Sequence, residues 1–260
     1  MTYLEAIILA LVEGATEFLP ISSTGHMILA SEAMQLENTE FLKSFEIYIQ
    51  LGAILAIVLI YARRFLTDWL LYKKLITGFI PTAVIGFLAY DMIKAYLFSP
   101  WVVSIALIVG GVVLILIDRW LPQDQEAYID TSHVPYKNAA YIGLIQCVSM
   151  VPGVSRAAAT IIGGMLNGFT RRQAAEFSFL LAVPTMLAAS ALDVIKSDLN
   201  FTSHEITLLA IGFVVAFFSA LLFVYLFLRI LDSAGFAVFG YYRIALGALF
   251  LAFMWDKTGF

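Results

Sequence analysis

Glu13 and Glu17 lie four residues apart in an apolar N-terminal stretch, and the chain continues Phe18-Leu19-Pro20-Ile21-Ser22-Ser23-Thr24-Gly25-His26. A spacing of four puts two side chains on one face of a helix. Carboxylates so placed repel, so in apolar surroundings one is protonated or a cation sits between them. A divalent cation, magnesium or calcium, takes hard oxygen ligands of this kind, which makes Glu13 and Glu17 candidate metal ligands. A protonated carboxyl can instead serve as a general acid or base. The bland alternative is a pair satisfied by hydroxyls or an arginine.

Ser22, Ser23, Thr24 and Gly25 precede a second apolar segment. Hydroxyls and free backbone N–H groups at a helix start cradle an anion. N-capping accounts for one serine, but not for two serines, a threonine and a histidine together. His26 titrates near neutrality and suits proton transfer or attack on phosphorus. Far along the chain, Val151-Pro152-Gly153-Val154-Ser155-Arg156 supplies the complement. Arg156 is a permanently charged planar fork suited to phosphate oxygens. Ser155 and Thr160 flank Ala157-Ala158-Ala159 at another expected helix start. A structural pair of Arg156 with Glu13 or Glu17 is the competing reading, and the two roles can coexist. The set points to phosphate-ester or diphosphate chemistry on an amphiphile.

The elements that must position these groups read as membrane. The chain has 260 residues, 62% hydrophobic and 13% charged, against about 25% charged in soluble domains. Ionisable groups inside a membrane are costly and persist facing a cavity, a partner or a substrate. The net charge is −4 with no basic stripe, so nucleic acid is excluded as a partner. The single cysteine, Cys147, excludes an internal disulfide and a thiolate metal cluster. The start, with Glu5 and no basic region, lacks the pattern of a cleaved signal, so the N-terminus is expected to belong to the mature fold.

A spanning helix needs about 20 mostly apolar residues. Six segments qualify: 45–62, 77–94, 101–118, 176–193, 206–228 and 240–256. Residues 4–34 and 138–168 are apolar but broken by Pro20 with its hydroxyl run and by Pro152-Gly153. Each half is too short to span, and irregular backbone at membrane depth needs protein or a wet cavity around it. Both are expected to be re-entrant helix pairs, with a single kinked helix as the alternative.

The halves of the chain also resemble each other. Leu11-Val12-Glu13 matches Leu144-Ile145-Gln146, Leu19-Pro20 matches Val151-Pro152, and Phe45 through Gly52 resembles Phe177 through Pro184. Each repeat holds one re-entrant pair and three spans. Three is odd, so the second repeat is inverted, as in many transporters. The expected fold is an all-α membrane protein, six transmembrane helices plus two re-entrant helix pairs in an inverted-topology repeat. It forms one integral domain: repeat one about 1–121, a polar, solvated linker 122–136, and repeat two about 137–260. Placing Arg63, Arg64, Lys73, Lys74, Arg119, Lys137, Arg171, Arg172, Arg229 and Arg243 on the cytoplasmic side leaves Lys43, Lys94, Lys196 and Lys257 opposite. That agrees with the positive-inside rule and puts both termini outside.

At Glu13 through His26 and at Pro152-Gly153-Val154-Ser155-Arg156, the chain resembles the bacterial undecaprenyl diphosphate phosphatase family, also called the bacitracin-resistance protein family. The resemblance covers essentially the whole chain, including Gln50-Leu51-Gly52-Ala53 and the helix of Pro184. It implies an inner-membrane hydrolase that converts undecaprenyl diphosphate to undecaprenyl phosphate for peptidoglycan synthesis, with bacitracin resistance as a result. It implies metal use and acid–base work for Glu13 and Glu17, and an essential His26. One serine of Ser22 and Ser23 would be a proposed nucleophile, and Arg156 would bind phosphate. The family pattern often carries serine where this chain has Ala157, a departure that touches no central role but is expected to weaken one phosphate hydrogen bond. Type 2 phosphatidic acid phosphatases carry Ser-Gly-His and Ser-Arg fragments similar to Thr24-Gly25-His26 and Ser155-Arg156 here, but that class needs a histidine where this chain has Ile162.

A rival reading is a lipid-phosphate flippase or ion-coupled transporter on the same inverted repeat, and release of inorganic phosphate separates the two. Gly110-Gly111 and Gly163-Gly164 permit close helix contact, within one subunit or in a homodimer.

Overall fold

The computed structural model describes residues 1–37, 39–96, 100–121, 130–196 and 201–258. The helices are α1 (Tyr3–Thr16), α2 (Ser23–Ala33), α3 (Glu40–Ile60), α4 (Ala62–Thr67), α5 (Trp69–Tyr96), α6 (Pro100–Trp120), α7 (Tyr136–Gln146), α8 (Arg156–Leu166), α9 (Arg171–Lys196), α10 (Ser203–Ala234) and α11 (Ala237–Thr258). Short 3-10 turns occupy Thr131–His133 and Cys147–Met150, and no strand occurs among the described residues. Local sequence sets the starts. Thr2 with Glu5 and Thr202 with Glu205 form capping boxes, and Thr39 caps α3. Each satisfies first-turn N–H groups that have no helical partner.

Among the described residues five helices, α3, α5, α6, α9 and α10, are long and apolar enough to cross a membrane. The chain is a multi-pass helical membrane protein. The sixth expected span falls in α11, whose apolar part Ala237–Ala252 is shorter. The two broken segments appear as helix–break–helix, α1–α2 and α7–α8. With 14 and 11 residues, then 11 and 11, these helices measure about 21 and 16 Å at 1.5 Å per residue. The hydrocarbon core is about 30 Å thick.

The starts of α1, α3 and α10 gather at one end, with Tyr3 5.2 Å from the His204 ring and Phe41 6.1 Å from that of Phe201. The other end carries ion pairs. Arg64 binds Glu176 and Asp130, Arg171 binds Asp118 at 2.7 Å, and Arg172 binds Asp232 at 2.9 Å. At that end α7 starts, with the Lys74 ammonium 3.2 Å above the Tyr136 ring. The two helix–break–helix segments therefore enter from opposite ends. Their neighbours exchange accordingly: α1 packs on α10 and α7 on α5, α3 packs on α10 and α9 on α5, and α3–α9 and α6–α11 pair with each other. Close seating needs glycine. A Cβ on Gly14 would lie 2.5 Å from the Ala216 carbonyl oxygen of α10. The core between the breaks is aromatic, with Phe18, Phe177, Phe179, Phe227 and Phe236 fully buried.

Two expectations change, and for the glycine pairs one of the two open readings is seen. The linker is not solvated at its end: Thr131, Ser132 and Val134 are buried, because Asp130 caps this turn and bonds Arg64. Residues 122–129, with Asp124 and Glu126, lie outside the described residues. Arg243 is no loop charge, since its side chain is fully buried two turns into α11, which leaves nine basic residues opposite four. Gly111 and Gly164 pack within the subunit, Gly111 against Gly240 and Gly164 against Phe169 and Ala174.

Candidate active site

The two breaks meet. The chain passes Ser22 at φ 72° and Ser155 at φ 75°, a region L-residues visit at a cost of roughly 1–3 kcal/mol. Both residues are N-caps: Ser22 Oγ accepts from Gly25 N–H at 3.4 Å and Ser155 Oγ from Ala158 N–H at 3.2 Å. Each break thus ends by turning a fresh helix start toward the other.

Between them lies a cavity of about 130 Å³ lined by Glu17, Ser22, Ser23, Thr24, Gln50, Ser149, Pro152, Gly153, Ser155, Arg156 and Met186. Glu17, one residue past the end of α1, joins its two sides. Ser23 Oγ donates to Glu17 Oε2 at 2.5 Å, and the Arg156 guanidinium donates to Glu17 Oε1 at 3.2 Å. Arg156 also donates to the Ser178 carbonyl at 3.1 Å and lies 5.7 Å from the centroid of the Phe18 ring. Its charge is therefore fixed from three sides and faces the hydroxyls. A hydroxyl on a carboxylate beside a guanidinium is an arrangement that can activate a nucleophile and hold an anion.

Six of the residues expected from sequence line this cavity: Glu17, Ser22, Ser23, Thr24, Ser155 and Arg156. Four do not. Glu13 is buried behind Glu17, within reach of both Glu17 and Glu46, and its Oε1 has no hydrogen-bond partner. Gly25 is buried as the first capped N–H. Thr160 stands one turn further along α8, its hydroxyl on the Arg156 carbonyl at 2.9 Å and 2.6 Å from the Ser178 hydroxyl. That turn takes it out of the cavity and into the α8–α9 contact. His26 turns to α11, with Nδ1 2.8 Å from the Ser22 carbonyl and Nε2 2.7 Å from the Tyr242 hydroxyl. A carbonyl only accepts, so Nδ1 carries a proton, and in the neutral ring Nε2 accepts from Tyr242.

Gln50, Ser149, Met186, Glu46, Tyr242 and Arg243 were missed by sequence reading. A signal existed for two of them. Glu46 and Arg243 are ionisable groups in apolar runs, as Arg156 is. Gln50, Ser149 and Met186 carry no such mark.

Fold and cavity define a class: a multi-pass helical membrane protein with a carboxylate–hydroxyl–arginine cavity between two broken segments. Within that class, the model of the family described as bacitracin resistance protein BacA matches residues 6–249, and the chain belongs to this family. It is 48% identical over 255 residues to an undecaprenyl-diphosphatase of Aquifex aeolicus, covering 97% of this chain and 99% of that one. It is 49% identical over 254 residues to an undecaprenyl-diphosphatase of Persephonella marina, covering 98% of this chain and 100% of the other. A Bdellovibrio bacteriovorus protein of the same name is 46% identical over 255 residues.

Proposed function

We propose that this chain is an undecaprenyl diphosphate phosphatase, releasing inorganic phosphate and returning undecaprenyl phosphate to peptidoglycan synthesis. The observation that carries the chemistry is that Arg156 and Ser23 meet on one carboxylate, Glu17, in the wall of the cavity. The name shared by the near full-length relatives supports the substrate, and the family description supports bacitracin resistance.

The diphosphate enters with its terminal phosphoryl group at Arg156, Ser22, Thr24 and the helix start at Ser155. Arg156 exchanges the Glu17 carboxylate for phosphate oxygens, a bidentate contact that neutralises developing charge. Glu17, released from the arginine, takes the proton of Ser23 Oγ as that oxygen attacks phosphorus. The bridging P–O bond breaks and undecaprenyl phosphate leaves. Glu17 passes its proton to the departing undecaprenyl phosphate; water then attacks the phosphoseryl group with Glu17 as base, the P–Oγ bond breaks, the proton taken from water passes from Glu17 to Ser23 Oγ, and phosphate is freed. Ser23 is preferred to His26 as nucleophile because both ring nitrogens of His26 are engaged away from the cavity.

Magnesium or calcium belongs to the proposal. Among the described residues no group of three or more His, Cys, Asp or Glu is arranged to hold a metal ion. The unpartnered Glu13 Oε1 beside Glu17 nevertheless fits a hard cation, which keeps water and substrate phosphates in its shell. Glu13 and Glu17 would hold it, and it would neutralise diphosphate charge.

Six spans and two re-entrant pairs in an inverted repeat, with the cavity open to the outside, complete the reading. Support comes from the entry of α1 and α7 from opposite ends, from the exchange of neighbours, and from the basic residues gathered at the Arg64 end. The same inverted arrangement supports a second reading, transport of the lipid phosphate. The test is phosphate release from undecaprenyl diphosphate by the purified protein, with and without chelator. Metal-dependent release that is lost in Arg156→Ala is expected. No release from folded protein given magnesium or calcium overturns the phosphatase, and a liposome flipping assay then tests transport.

A further inference from the structure

Arg243 is the largest fully buried side chain among the described residues. A guanidinium has five N–H donors and no acceptor. Here each donor has one backbone carbonyl: Nε meets Leu107 at 3.3 Å, Nη1 meets Pro20 at 3.0 Å and Val154 at 2.8 Å, and Nη2 meets Ala106 at 3.1 Å and Gly153 at 2.9 Å. No carboxylate among the described residues forms an ion pair with it. Buried charges are normally paired, so a cation held on carbonyls alone is unusual. Its acceptors are also specific. Two lie on α6, one in the first break and two in the second. Space is kept for it, since a Cβ on Gly110 would run into its guanidinium.

Three of these carbonyls, those of Pro20, Gly153 and Val154, belong to the turns that lead into the two strained serines. Pro20 is two residues before Ser22, and Val154 immediately precedes Ser155. Gly153 sits at φ 94°, with the Val103 carbonyl oxygen 2.5 Å from where a Cβ would be. Strained backbone persists only when its surroundings over-determine it. In a trans peptide the N–H points opposite to the C=O. Turning the Val154 carbonyl onto Arg243 therefore turns the Ser155 N–H away from it. Ser155 and Gly153 line the cavity, and Arg243 does not.

We propose that Arg243 is the positioning residue of phosphoryl transfer: it clamps the backbones of both breaks in register and presents the Ser155 N–H to the substrate phosphate. This rests on the phosphatase reading. Arg243 touches no reacting atom. It acts through the Val154–Ser155 peptide dipole, whose negative end it holds and whose positive end faces the anion; the Pro20 and Gly153 carbonyls anchor the two turns, whose Ile21 and Val154 N–H groups bond the Leu19 and Val151 carbonyls, and so fix the separation of Ser23 from Arg156. Arg156 links the breaks through side chains, and Arg243 links them through main chain.

The experiment measures kcat and KM for undecaprenyl diphosphate with wild type, Arg243→Met, Arg243→Lys and Gly110→Ala, each in detergent and corrected for its folded fraction by thermal melting. Gly110→Ala displaces the guanidinium without removing it, so the test stands if Arg243→Met does not fold. Misplacement of reacting groups by about 1 Å costs on the order of 100-fold. The expected result is a kcat loss of that order in Arg243→Met, a loss in the same direction in Gly110→Ala, partial recovery in Arg243→Lys, and a smaller change in KM. Wild-type kcat per folded molecule in either Arg243→Met or Gly110→Ala overturns the clamp. Absence of phosphate release from wild type overturns the phosphatase reading instead, so the two failures are separable.

Discussion

At the first break the chain turns through Ser22, and at the second through Ser155, with φ values of 72° and 75° and the same serine cap three residues ahead of its donor. The side chains on these matched backbones differ. The first break carries Glu13, Glu17, Ser23 and Thr24, all oxygen. The second carries Arg156, and Gln146 stands where the first has Glu13. Even the orphan atoms correspond, since Glu13 Oε1 and Gln146 Oε1 are both buried without a partner. A repeated scaffold builds two helix starts at equal backbone cost. Dividing charge between them lines one cavity, and in the proposed mechanism the negative, hydroxyl-bearing half attacks and the positive half holds.

That division is broken most directly at its cation. Arg156→Ala is expected to lower phosphate release by about 10³-fold or more, the scale of losing an arginine on a transferring phosphoryl group. Arg156→Lys should recover little, because an ammonium lacks the planar fork. Colorimetric phosphate release checks both.

Next come the carboxylates. Glu17→Gln should cost about 10²–10⁴-fold, as expected for loss of a general base. The matched experiment is Gln146→Glu in the second break. It should not restore Glu13→Gln, the position it matches. Gln146 is fully buried among Thr82 and Thr185 hydroxyls, so a carboxylate there has no arginine. It should destabilise the protein by about 3 kcal/mol, seen as a lower melting temperature. If Gln146→Glu instead rescues activity, the two halves are chemically interchangeable and the division fails.

The shared backbone gives a smaller effect. Ser22→Ala and Ser155→Ala should each cost about 1–2 kcal/mol, losing a cap where an L-residue is strained. Ser22→Gly and Ser155→Gly should cost less, since glycine tolerates positive φ. Melting of the four variants sharpens the likeness of the two breaks.

The smallest effect separates how the two segments begin. The strap into α7 is tied by Asp130 to Arg64, whereas α1 begins with its own capping box. Burial pushes the Asp130 carboxyl up, but the Ser132 N–H and Arg64 outweigh it and hold the group below its usual range. A carboxylate more acidic when folded stabilises above its unfolded pKa, about 3.9, and that contribution is lost as pH falls through the folded value. Asp130→Asn should lower the melting temperature at pH 7, and the difference from wild type should shrink as pH falls below about 3.9 and vanish once pH is below the folded value.

Much of this was legible in residues and spacing. Proline and hydroxyls inside apolar runs located both breaks, because proline and capping residues interrupt helical hydrogen bonding. Glu17, Ser22, Ser23, Ser155 and Arg156 were readable as costly groups at the breaks, and their bland roles, capping and an ion pair, coexist with lining the cavity. What failed depended on rotation and distance. Thr160 is four residues from Arg156, close enough in sequence to seem part of the cradle, yet one helical turn moves it behind. Gln50, Ser149 and Met186 reach the cavity only through packing of α3, α9 and the turn before the second break. Arg243 was misread because charge counting treats every arginine near a helix end as a loop residue, and only coordinates reveal that carbonyls receive it.

The order of synthesis gives Arg243 one more consequence. Its five acceptors, from Pro20 to Val154, are all made before it. An arginine at the centre of a bilayer costs roughly 2.5–3.5 kcal/mol or more, and here no counter-ion among the described residues offsets that. The final helix can therefore settle only once both earlier turns have formed and converged. Docking of α11 is thereby tied to both turns: with either one misformed, Arg243 loses carbonyls that hold it.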